Sequence, residues 1–276
     1  MGFIDLHVHS NLSDGSCSPA ELVQLALEKG LSAFALTDHD SVAGIAPAIS
    51  AARNYPLEVI PGIEITSSFG RQEIHILGYY IDYENPRLLE MNRQISQIRD
   101  DRNIKICAQL RSYGVDINYE DFRSTAGCRM ITRRHFAAYL VAGGYASDLR
   151  DAFEKYLIKG RPCYIPMRKL STEAAVRLIL ASGGVPVVAH PVLLHLTEEG
   201  YLKFFTLMKS FGVRGIEAIY SSNTAEDEQR FRSLAKELGM FITGGSDFHG
   251  VLKPGVDIGT GRGNLMIPQS LLDNIR

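Results

Sequence analysis

The first residues that could do chemistry are two histidines near the N-terminus, at the end of a short apolar run. His7 and His9 follow residues 3–6, and Asp14 comes a few positions later. Residues two apart on a β-strand point to the same face, so we expect both imidazoles to converge. Imidazole is the commonest nitrogen ligand for zinc, manganese or iron. A lone histidine would more simply be a hydrogen-bonded core residue, but residues of ligand type recur along this chain.

Further residues of ligand type occur at or just past the ends of other predicted strands. They lie in the segments Thr37-Asp38-His39-Asp40, Pro61-Gly62-Ile63-Glu64, Ala189-His190-Pro191 and Gly245-Ser246-Asp247-Phe248-His249, with His75 inside a strand. Strands and helices alternate around these segments with short connections, which is the pattern of a parallel sheet with crossover helices. In a βα barrel the carboxyl ends of the strands meet on one face, where loops from many strands carry the chemistry.

The apolar pattern predicts seven strands, with a helical segment inserted between the fourth and the fifth. The predicted strands are 3–6, 31–36, 57–63, 73–80, 185–189, 215–219 and 241–243. The predicted helices outside the interruption are 21–29, 42–53, 172–181, 199–211 and 226–238. From about Pro86 to Gly160 the chain is helical, polar and poor in strands, with helices predicted at 88–110, 129–141 and 147–157. We therefore predict a first barrel part at 1–82, a helical insertion at 83–164 and a second barrel part at 165–276.

Composition limits the classes of function. The 276 residues are 45% hydrophobic and 22% charged, as in a soluble globular protein, and the net charge of −2 gives no global field that would attract nucleic acid. No segment has the pattern of a secretory signal or the length of a membrane span. None of the four cysteines forms a C-x-x-C pair. These features predict a reduced, cytoplasmic protein with no membrane contact and no obligate protein partner.

As a set, these motifs resemble the PHP (polymerase and histidinol phosphatase) family of metal-dependent phosphoesterases. The resemblance rests on His7-Val8-His9 with Asp14, on Thr37–Asp40, Pro61–Glu64, His75, Arg133-Arg134-His135, Ala189–Pro191 and Gly245–His249. It covers essentially the whole chain and is greatest to a bacterial branch with a helical insertion between the fourth and fifth strands. That branch includes nucleoside 3′,5′-bisphosphate phosphatases and 5′-to-3′ exoribonucleases. The resemblance implies an α/β fold, a distorted seven-stranded βα barrel of PHP type.

The resemblance also implies two to three divalent ions, manganese, iron or zinc, and a ligand set. His7, His9, Glu64 and Asp247 are similar to ligands of a first metal. Glu64 would bridge to a second metal, completed by His75 and by His135 from the insertion. Asp14, His39 and His249 would hold a third. The family has a histidine at the position of Asp14 in some members, which leaves the third metal's identity and occupancy open.

Such a ligand set suits phosphate ester chemistry. The carboxylates Asp14, Glu64 and Asp247 neutralise only half of the charge on three divalent ions, and the remainder attracts a dianionic phosphate. A hydroxide that bridges two metals could attack phosphorus, because zinc alone lowers the pKa of water to about 7. The metals would also stabilise charge on the phosphoryl oxygens.

Other residues are candidates for substrate contact. His190 is not needed for coordination and is assigned to phosphate contact or to protonation of the leaving oxygen, with a structural role as the alternative. Arg133 matches the family's arginine and is the best candidate for a bidentate phosphate clamp, with Arg134 beside it. Ser222 and Asn223 follow a strand end and could bind ribose or phosphate, or form an ordinary turn.

A second group of residues is expected to play supporting roles. Asp38 and Asp40 flank His39 and are expected to orient neighbouring groups or to cap a helix. Arg161, Arg168 and Lys169 could line the cleft or form a solvated face. If several of them line the cleft, the substrate carries more than one phosphate.

The sequence therefore favours a phosphoesterase that acts on nucleoside 3′,5′-bisphosphates or on short 5′-phosphorylated RNA. One alternative is a metal-dependent amidohydrolase or deaminase, which also uses His-x-His on a barrel, although no strand-end lysine is placed to bridge metals. The other alternative is a catalytically silent metal-binding module, which would have no reason to retain every ligand.

Overall fold

The computed structural model describes residues 2–276, which form two compact units. One unit comprises the chain up to Asn92 together with Lys169–Arg276, and the other comprises Arg93–Arg168. The boundary at Asn92 falls inside a long helix. The predicted domain limits at residues 82/83 and 164/165 stay a prediction.

The first unit is built on a nearly closed barrel. Seven strands form a hydrogen-bonded path in the order β1-β2-β3-β4-β6-β7-β8, and the two-residue strand β5 pairs with β3. The strands are β1 (Phe3–Val8), β2 (Leu31–Leu36), β3 (Glu58–Phe69), β4 (Gln72–Tyr79), β5 (Leu170–Ser171), β6 (Val185–Val188), β7 (Gly215–Tyr220) and β8 (Phe241–Gly245). The seven predicted strands are therefore confirmed, whereas β5 is not among the predictions.

The two ends of the strand path meet at the histidines of β1. The Asp247 amide donates to the His7 carbonyl at 2.8 Å, and the His9 amide donates to the Phe248 carbonyl at 2.9 Å. Val8 and Phe248 form an isolated parallel bridge between the same segments. The first and last strands are thus joined by backbone hydrogen bonds at the level of the predicted ligands.

One strand runs against the predicted direction. The alternating pattern predicts a parallel sheet, but β4 is antiparallel to both β3 and β6. Strand β3 continues past the predicted end at Ile63 to Phe69, and only two residues connect it to β4. A connection that short can form a hairpin but cannot cross over to a parallel strand. As a result Glu64 lies within a strand rather than past its end, whereas His75 lies inside a strand as predicted and is paired with Thr66.

Helices pack around the barrel and begin at polar caps. They are α1 (Pro19–Glu28), α2 (Ile45–Ala52), α7 (Thr172–Ala181), α8 (Glu198–Phe211) and α9 (Ala225–Leu238), and α3 (Pro86–Ser112) begins in this unit. Ser18 and Glu21 form a capping box with Pro19 at the first position of α1. Thr224 and Asp227 form the same arrangement at α9. These caps satisfy amide groups that would otherwise have no partner at the helix start.

Two apolar clusters hold the barrel unit together. One joins β1, β2, β3, β4, β6 and β7 with the C-terminal residues Leu265, Ile267, Leu272 and Ile275. The other packs α1 and α2 on the sheet through residues such as Leu22, Phe34 and Leu36. Part of the tail after Lys253 belongs to this core, since the Ile4 amide donates to the Ile267 carbonyl at 3.0 Å.

The second unit is helical, as its composition predicts. It contains most of α3 and the helices α4 (Tyr119–Thr125), α5 (Arg133–Ala142) and α6 (Leu149–Ala152), followed by one π-helical turn (Phe153–Leu157). Helix α4 is not among the predicted helices. The unit has its own apolar core, which includes Ile106, Leu110, Phe122, Phe136 and Leu157. Among residues 2–276, no helix combines the length and apolar character needed to span a bilayer.

Candidate metal centre

Glu64 is the centre of the predicted ligand set. It lies within β3, its side chain is 1% exposed, and five imidazole nitrogens surround its two oxygens. The nitrogens nearest Oε2 are His7 Nε2 at 3.1 Å, His9 Nε2 at 3.2 Å and His39 Nδ1 at 3.2 Å. Those nearest Oε1 are His75 Nδ1 and His190 Nε2, both at 2.9 Å. A carboxylate with ligands around both oxygens is suited to bridge two cations.

Asp247 and Asp14 extend the cluster away from Glu64. Asp247 Oδ1 lies 3.3 Å from both His9 Nε2 and His249 Nδ1, and 3.7 Å from His7 Nε2. Asp14 Oδ1 lies 3.4 Å from His249 Nε2 and 3.8 Å from His9 Nδ1. The imidazoles of His9 and His249 stack with ring centroids 4.1 Å apart. The whole set therefore forms one continuous patch of ligand atoms.

Three groups in this patch are compact enough to hold a cation, because their donor atoms lie within 4.8 Å of one another. They are His7, His9, Glu64 and Asp247; His39, Glu64 and His75; and His9, Asp14, His39 and His249. The structure thus brings together eight of the nine predicted ligands. The grouping follows the predicted first and third ligand sets, with His9 added to the third, and it places His39 beside Glu64 and His75.

The ninth predicted ligand, His135, belongs to the helical unit. It lies at the start of α5 and is 8% exposed. Its Nδ1 accepts hydrogen bonds from the Thr132 amide at 3.1 Å and the Thr132 hydroxyl at 2.9 Å, and its Nε2 lies 3.1 Å from Cys128 Sγ. Its role as a metal ligand stays a prediction.

The ligand atoms are arranged to bind divalent cations rather than to hydrogen-bond to one another. Both ring nitrogens of His9, the Nδ1 of His39 and the Oδ1 of Asp14 are buried and make no hydrogen bond. Buried polar atoms are almost always paired, because an unpaired one loses its solvation without compensation. Here these unpaired atoms lie 3.2–3.8 Å from other ligand atoms but are not aligned for hydrogen bonds. Ligand atoms around a shared cation are arranged in this way. The mixed nitrogen and oxygen set suits manganese, iron or zinc.

Carboxylates behind the ligands fix which ring nitrogens face the centre. The Nδ1–H of His7 donates to Glu217 Oε1 at 2.8 Å, which leaves Nε2 as the lone-pair nitrogen toward Glu64. The other oxygen, Glu217 Oε2, accepts from the backbone amide of His190 at 2.6 Å. His75 is held in the same way, since its Nε2 lies 3.2 Å from Glu73 Oε1 and Glu73 pairs with Lys169.

Sequence reasoning missed Glu217, although a signal was present. Glu217 is the charged residue in the otherwise apolar strand β7 and is fully buried. A buried carboxylate in a strand needs a partner, and that need alone marks it as a functional candidate. Tyr220 and Lys253 were also missed. The Tyr220 hydroxyl donates to Asp247 Oδ2 at 2.9 Å, and Lys253 Nζ lies 2.5 Å from the same oxygen.

The charges of the centre shift several pKa values when no metal is bound. Burial alone would raise the pKa of Glu64, but the surrounding histidines, led by His39 and His7, hold it well below its ordinary value. Burial would lower the pKa of His9, but Asp247 and Glu64 raise it to about 9. Burial dominates at His39, whose pKa falls to about 3. The cluster therefore takes up protons on some imidazoles and excludes them from others.

Three residues in or beside the ligand cluster have left-handed backbone conformations. The φ angles are 49° at Asp40, 27° at His190 and 56° at Asp247. Residues with a Cβ rarely adopt such angles, and they cluster at functional sites where surrounding contacts enforce them. Here Asp40 Oδ1 accepts from the Thr66 amide at 2.9 Å, and Asp247 is bonded through its own amide to His7.

The supporting roles predicted for Asp38 and Asp40 are partly found. Asp38 accepts hydrogen bonds from the Ser10 amide at 2.7 Å and from the Ser10 and Ser13 hydroxyls, and so orders the loop that carries Asp14. The expectation of helix capping is wrong. Helix α2 begins after Gly44, and no side chain caps it.

The predicted substrate residues lie in different parts of the chain. His190 packs in the cluster against Glu64, as described above. Ser222 and Asn223 follow β7, where the side-chain Nδ2 of Asn223 donates to the Ala218 carbonyl at 2.7 Å. Arg133 and Arg134 are the first two residues of α5 in the helical unit. Arg134 is exposed, and Arg133 lies 5.5 Å from the centre of the Tyr164 ring. None of these contacts tests substrate binding.

Several relatives that match most of this chain carry the names of phosphoric ester hydrolases. The PHP domain family matches residues 5–237. The chain is 34% identical to a 3′,5′-nucleoside bisphosphate phosphatase of Chromobacterium violaceum, over 94% of this chain and 91% of the relative. It is also 34% identical to a 5′-3′ exoribonuclease of Haemophilus influenzae, over 89% of each chain.

Two solved structures superpose over nearly the whole chain. One is described as an amidohydrolase from Chromobacterium violaceum with bound sulfate and no metal; it has a TM-score of 0.86, 32% identity and coverage of 100% of this chain and 98% of that one. The other, from Bifidobacterium adolescentis, carries the provisional name of a metal-dependent phosphoesterase. Its TM-score is 0.85, with 29% identity and coverage of 99% of this chain and 95% of that one.

Proposed function

Because this chain belongs to the PHP domain family, we propose that it is a metal-dependent phosphoesterase acting on nucleotides. Its substrates are nucleoside 3′,5′-bisphosphates or short 5′-phosphorylated oligoribonucleotides. One observation supports this most directly: five imidazole nitrogens lie within 3.2 Å of the Glu64 carboxylate, next to ligand atoms that have no other partner. The names of the bisphosphatase and exoribonuclease relatives give the substrate class.

The barrel residues would hold two to three divalent ions, manganese, iron or zinc. His7, His9, Glu64 and Asp247 would hold the first, Glu64 and His75 the second, and Asp14, His39 and His249 the third. When bound, the cations supply the positive charge that lowers the pKa of water and neutralises phosphoryl oxygens.

The chain's own residues would orient the reaction. Glu217 holds the His7 ring so that Nε2 faces Glu64, and it fixes the backbone of His190. The His190 ring reaches the centre at Glu64, where an imidazolium can bind phosphate or protonate the leaving oxygen. In this proposal Arg133 binds a phosphate group through its fork of N–H donors, with Arg134, Ser222 and Asn223 as further substrate contacts.

The proposal is tested by supplying the purified full-length protein with manganese, iron or zinc and adding substrate. Adenosine 3′,5′-bisphosphate is expected to release inorganic phosphate, and 5′-phosphorylated RNA is expected to release nucleotides. His7→Ala should abolish both reactions, whereas Glu228→Gln, a change to a partly exposed side chain that pairs with Arg232 on α9, should leave them unchanged. The absence of both products with all three metals refutes the proposal.

The same experiment separates the second candidate, an amidohydrolase. The name of the solved Chromobacterium violaceum structure favours that class, but Lys253 is engaged by Asp247 and Glu64 is at the position of a bridging ligand. N-acyl and adenosine substrates are therefore included in the assay. Their metal-dependent hydrolysis without phosphate release would replace the phosphoesterase assignment.

A further inference from the structure

The barrel unit has a cleft at the end opposite the ligand cluster. Strands β7 and β8 are parallel, so their first residues, Gly215 and Phe241, lie side by side at this end. Asp247 comes after the last residue of β8, at the other end. The cleft lies where α8 and α9 end and where β7 and β8 begin, and its volume of about 830 Å³ is in the range of small-molecule sites.

The lining of the cleft is basic. Within residues 2–276, four basic side chains and no acidic side chain line it. They are Lys209 in the last turn of α8, Arg214 before β7, and Arg232 and Lys236 near the end of α9. The part of the chain that the structure describes offers no ion pair or side-chain hydrogen bond to Arg214 or Lys236, and both are exposed. These two charges are therefore available to a ligand.

Compensation of the helix ends accounts for only part of this positive charge. Basic residues are favourable in the last turn of a helix, because each helix C-terminus is equivalent to about half a negative charge. Two helix ends lie at the cleft, since Gly212 and Gly239, which cap α8 and α9, line it. Arg232 is also paired with Glu228. The two ends and Glu228 offset roughly two of the four positive charges, so the remainder favours an anionic ligand.

Apolar side chains line the cleft next to these charges. Met240 is buried, and Phe241 and Ile242 at the start of β8 are partly exposed. A Cβ at Gly215 would lie 2.4 Å from the Phe241 ring, so glycine at this position lets the ring pack directly on the backbone of β7. Aromatic and guanidinium groups both stack on flat rings. A ligand that matches the whole lining therefore has a negatively charged part and a flat apolar part.

We propose that this cleft binds a mononucleotide, with its phosphate groups at Arg214 and Lys236 and its base on Met240 and Phe241. Phosphate oxygens match the fork of an arginine and the ammonium group of a lysine, and bases stack on aromatic side chains. The volume suits one small molecule, which favours a mononucleotide over an acidic peptide. Among the described residues, no member of the predicted metal-ligand set lines the cleft, so the site does not depend on the proposed activity.

Methyl resonances of methionine report on this cleft directly, because Met240 lines it. Full-length protein is labelled at the methionine methyl carbons, stripped of metal with a chelator so that no ester is hydrolysed, and titrated with adenosine 5′-triphosphate. The Met240 resonance, identified with Met240→Leu, should shift in a saturable way. The resonance of Met266, which is exposed and does not line the cleft, should stay in place.

Two double variants test which charges bind the nucleotide. Arg214→Gln combined with Lys236→Gln should weaken the affinity read from Met240 by about 10-fold or more. Both side chains are exposed, so the variant should fold. The matched control is Arg177→Gln combined with Lys203→Gln, which also removes two positive charges from exposed helix faces, outside the cleft lining. The control should titrate like the wild type.

Partial ligands test whether both parts of the nucleotide are recognised. Adenosine and inorganic triphosphate should each shift Met240 only at concentrations about 10-fold or more above those of the nucleotide. Equal affinity for triphosphate and the nucleotide overturns the mononucleotide assignment, as does a response to poly-glutamate without one to the nucleotide. An unmoved Met240 resonance in the wild type, or wild-type affinity in the cleft variant, also overturns the proposal. If the nucleotide binds here but the metal-loaded protein hydrolyses no phosphate ester, the proposed function fails and this site stands.

Discussion

The two units differ in what their interiors contain. In the barrel unit, carboxylates are surrounded by imidazoles whose protonation can change, so the charge of the cluster adapts to what is bound. In the helical unit, the core is largely apolar, and among the described residues every compact group of possible metal ligands lies in the barrel unit. The barrel cluster can exchange protons for cations, whereas an apolar core cannot.

This difference has a consequence for metal binding. The chemistry at phosphorus needs cations that can be loaded and retained. A centre of titratable ligands binds them in competition with protons, so metal content and pH should affect the barrel unit together.

The largest effect is expected from Glu64→Gln. The substitution keeps the shape of the side chain but removes the negative charge that five imidazoles share. Metal content should fall and kcat/KM should drop by more than about 100-fold, the upper end of the range for residues that only orient a ligand. Metal analysis and steady-state kinetics check this, with Glu228→Gln as the control. Normal metal content in Glu64→Gln would show that Glu64 is not a ligand.

The next largest expected effect concerns stability: removing the metal should reverse the direction in which the free energy of unfolding changes with pH. Burial would lower the pKa of His9, but Asp247 and Glu64 raise it to about 9. Protonation of His9 therefore stabilises the metal-free fold fully below pH 6.5, and this stabilisation disappears as the pH rises to 9. The free energy of unfolding should fall by roughly 3 kcal/mol through this residue. His7 and His75 also have raised pKa values, whereas the pKa of His39 falls to about 3, so its contribution changes only below pH 6.5.

Urea unfolding at pH 6.5 and pH 9 checks this prediction. The free energy of unfolding of the metal-free protein should fall between these two pH values. That of the metal-loaded protein should rise, because ligand histidines must lose protons before they bind metal. In the metal-free state His9→Gln should reduce the fall. If both forms respond to pH in the same direction, protons and cations do not compete for this cluster.

A smaller effect is expected from Glu217→Gln. The amide keeps its size but can no longer accept strongly from both His7 Nδ1 and the His190 amide. Loss of such a carboxylate behind a ligand typically costs 10–100-fold in metal affinity or activity. Competition with a chelator measures the affinity. Wild-type affinity would assign Glu217 a purely structural role.

The smallest effect is expected from Tyr220→Phe, which removes one hydrogen bond to Asp247 Oδ2. Lys253 still pairs with that oxygen, so metal affinity should fall by about 10-fold or less. The same chelator competition measures it. A loss as large as that for Glu64→Gln would mean that the orientation of Asp247 depends on Tyr220 alone.

Much of the barrel was predictable because its signals are local. Apolar runs of strand length and capped helices located nearly every element, and ligand types near strand ends predicted which side chains would meet. The direction of β4 was missed because β3 was ended at Ile63. The glycine at position 70, with φ of 60° in a two-residue connection, identifies the hairpin once the strand is extended to Phe69.

The residues behind the ligands were harder to predict. Glu217 could have been found as a buried charge in a strand. Lys253 could not, because its loop carries no periodic pattern and its contact with Asp247 depends on the tertiary fold.

The closure of the barrel has a consequence for how the protein acquires its metals. The backbone of His7 is hydrogen-bonded to that of Asp247, so a nascent polypeptide on the ribosome has no complete centre until residue 247 has been synthesised. Cations can be loaded into the complete centre only after that point. Because selectivity among divalent metals in cells depends on geometry, ligand type and metal availability rather than on raw affinity, we expect the ions available where the chain folds to influence which ion a preparation contains.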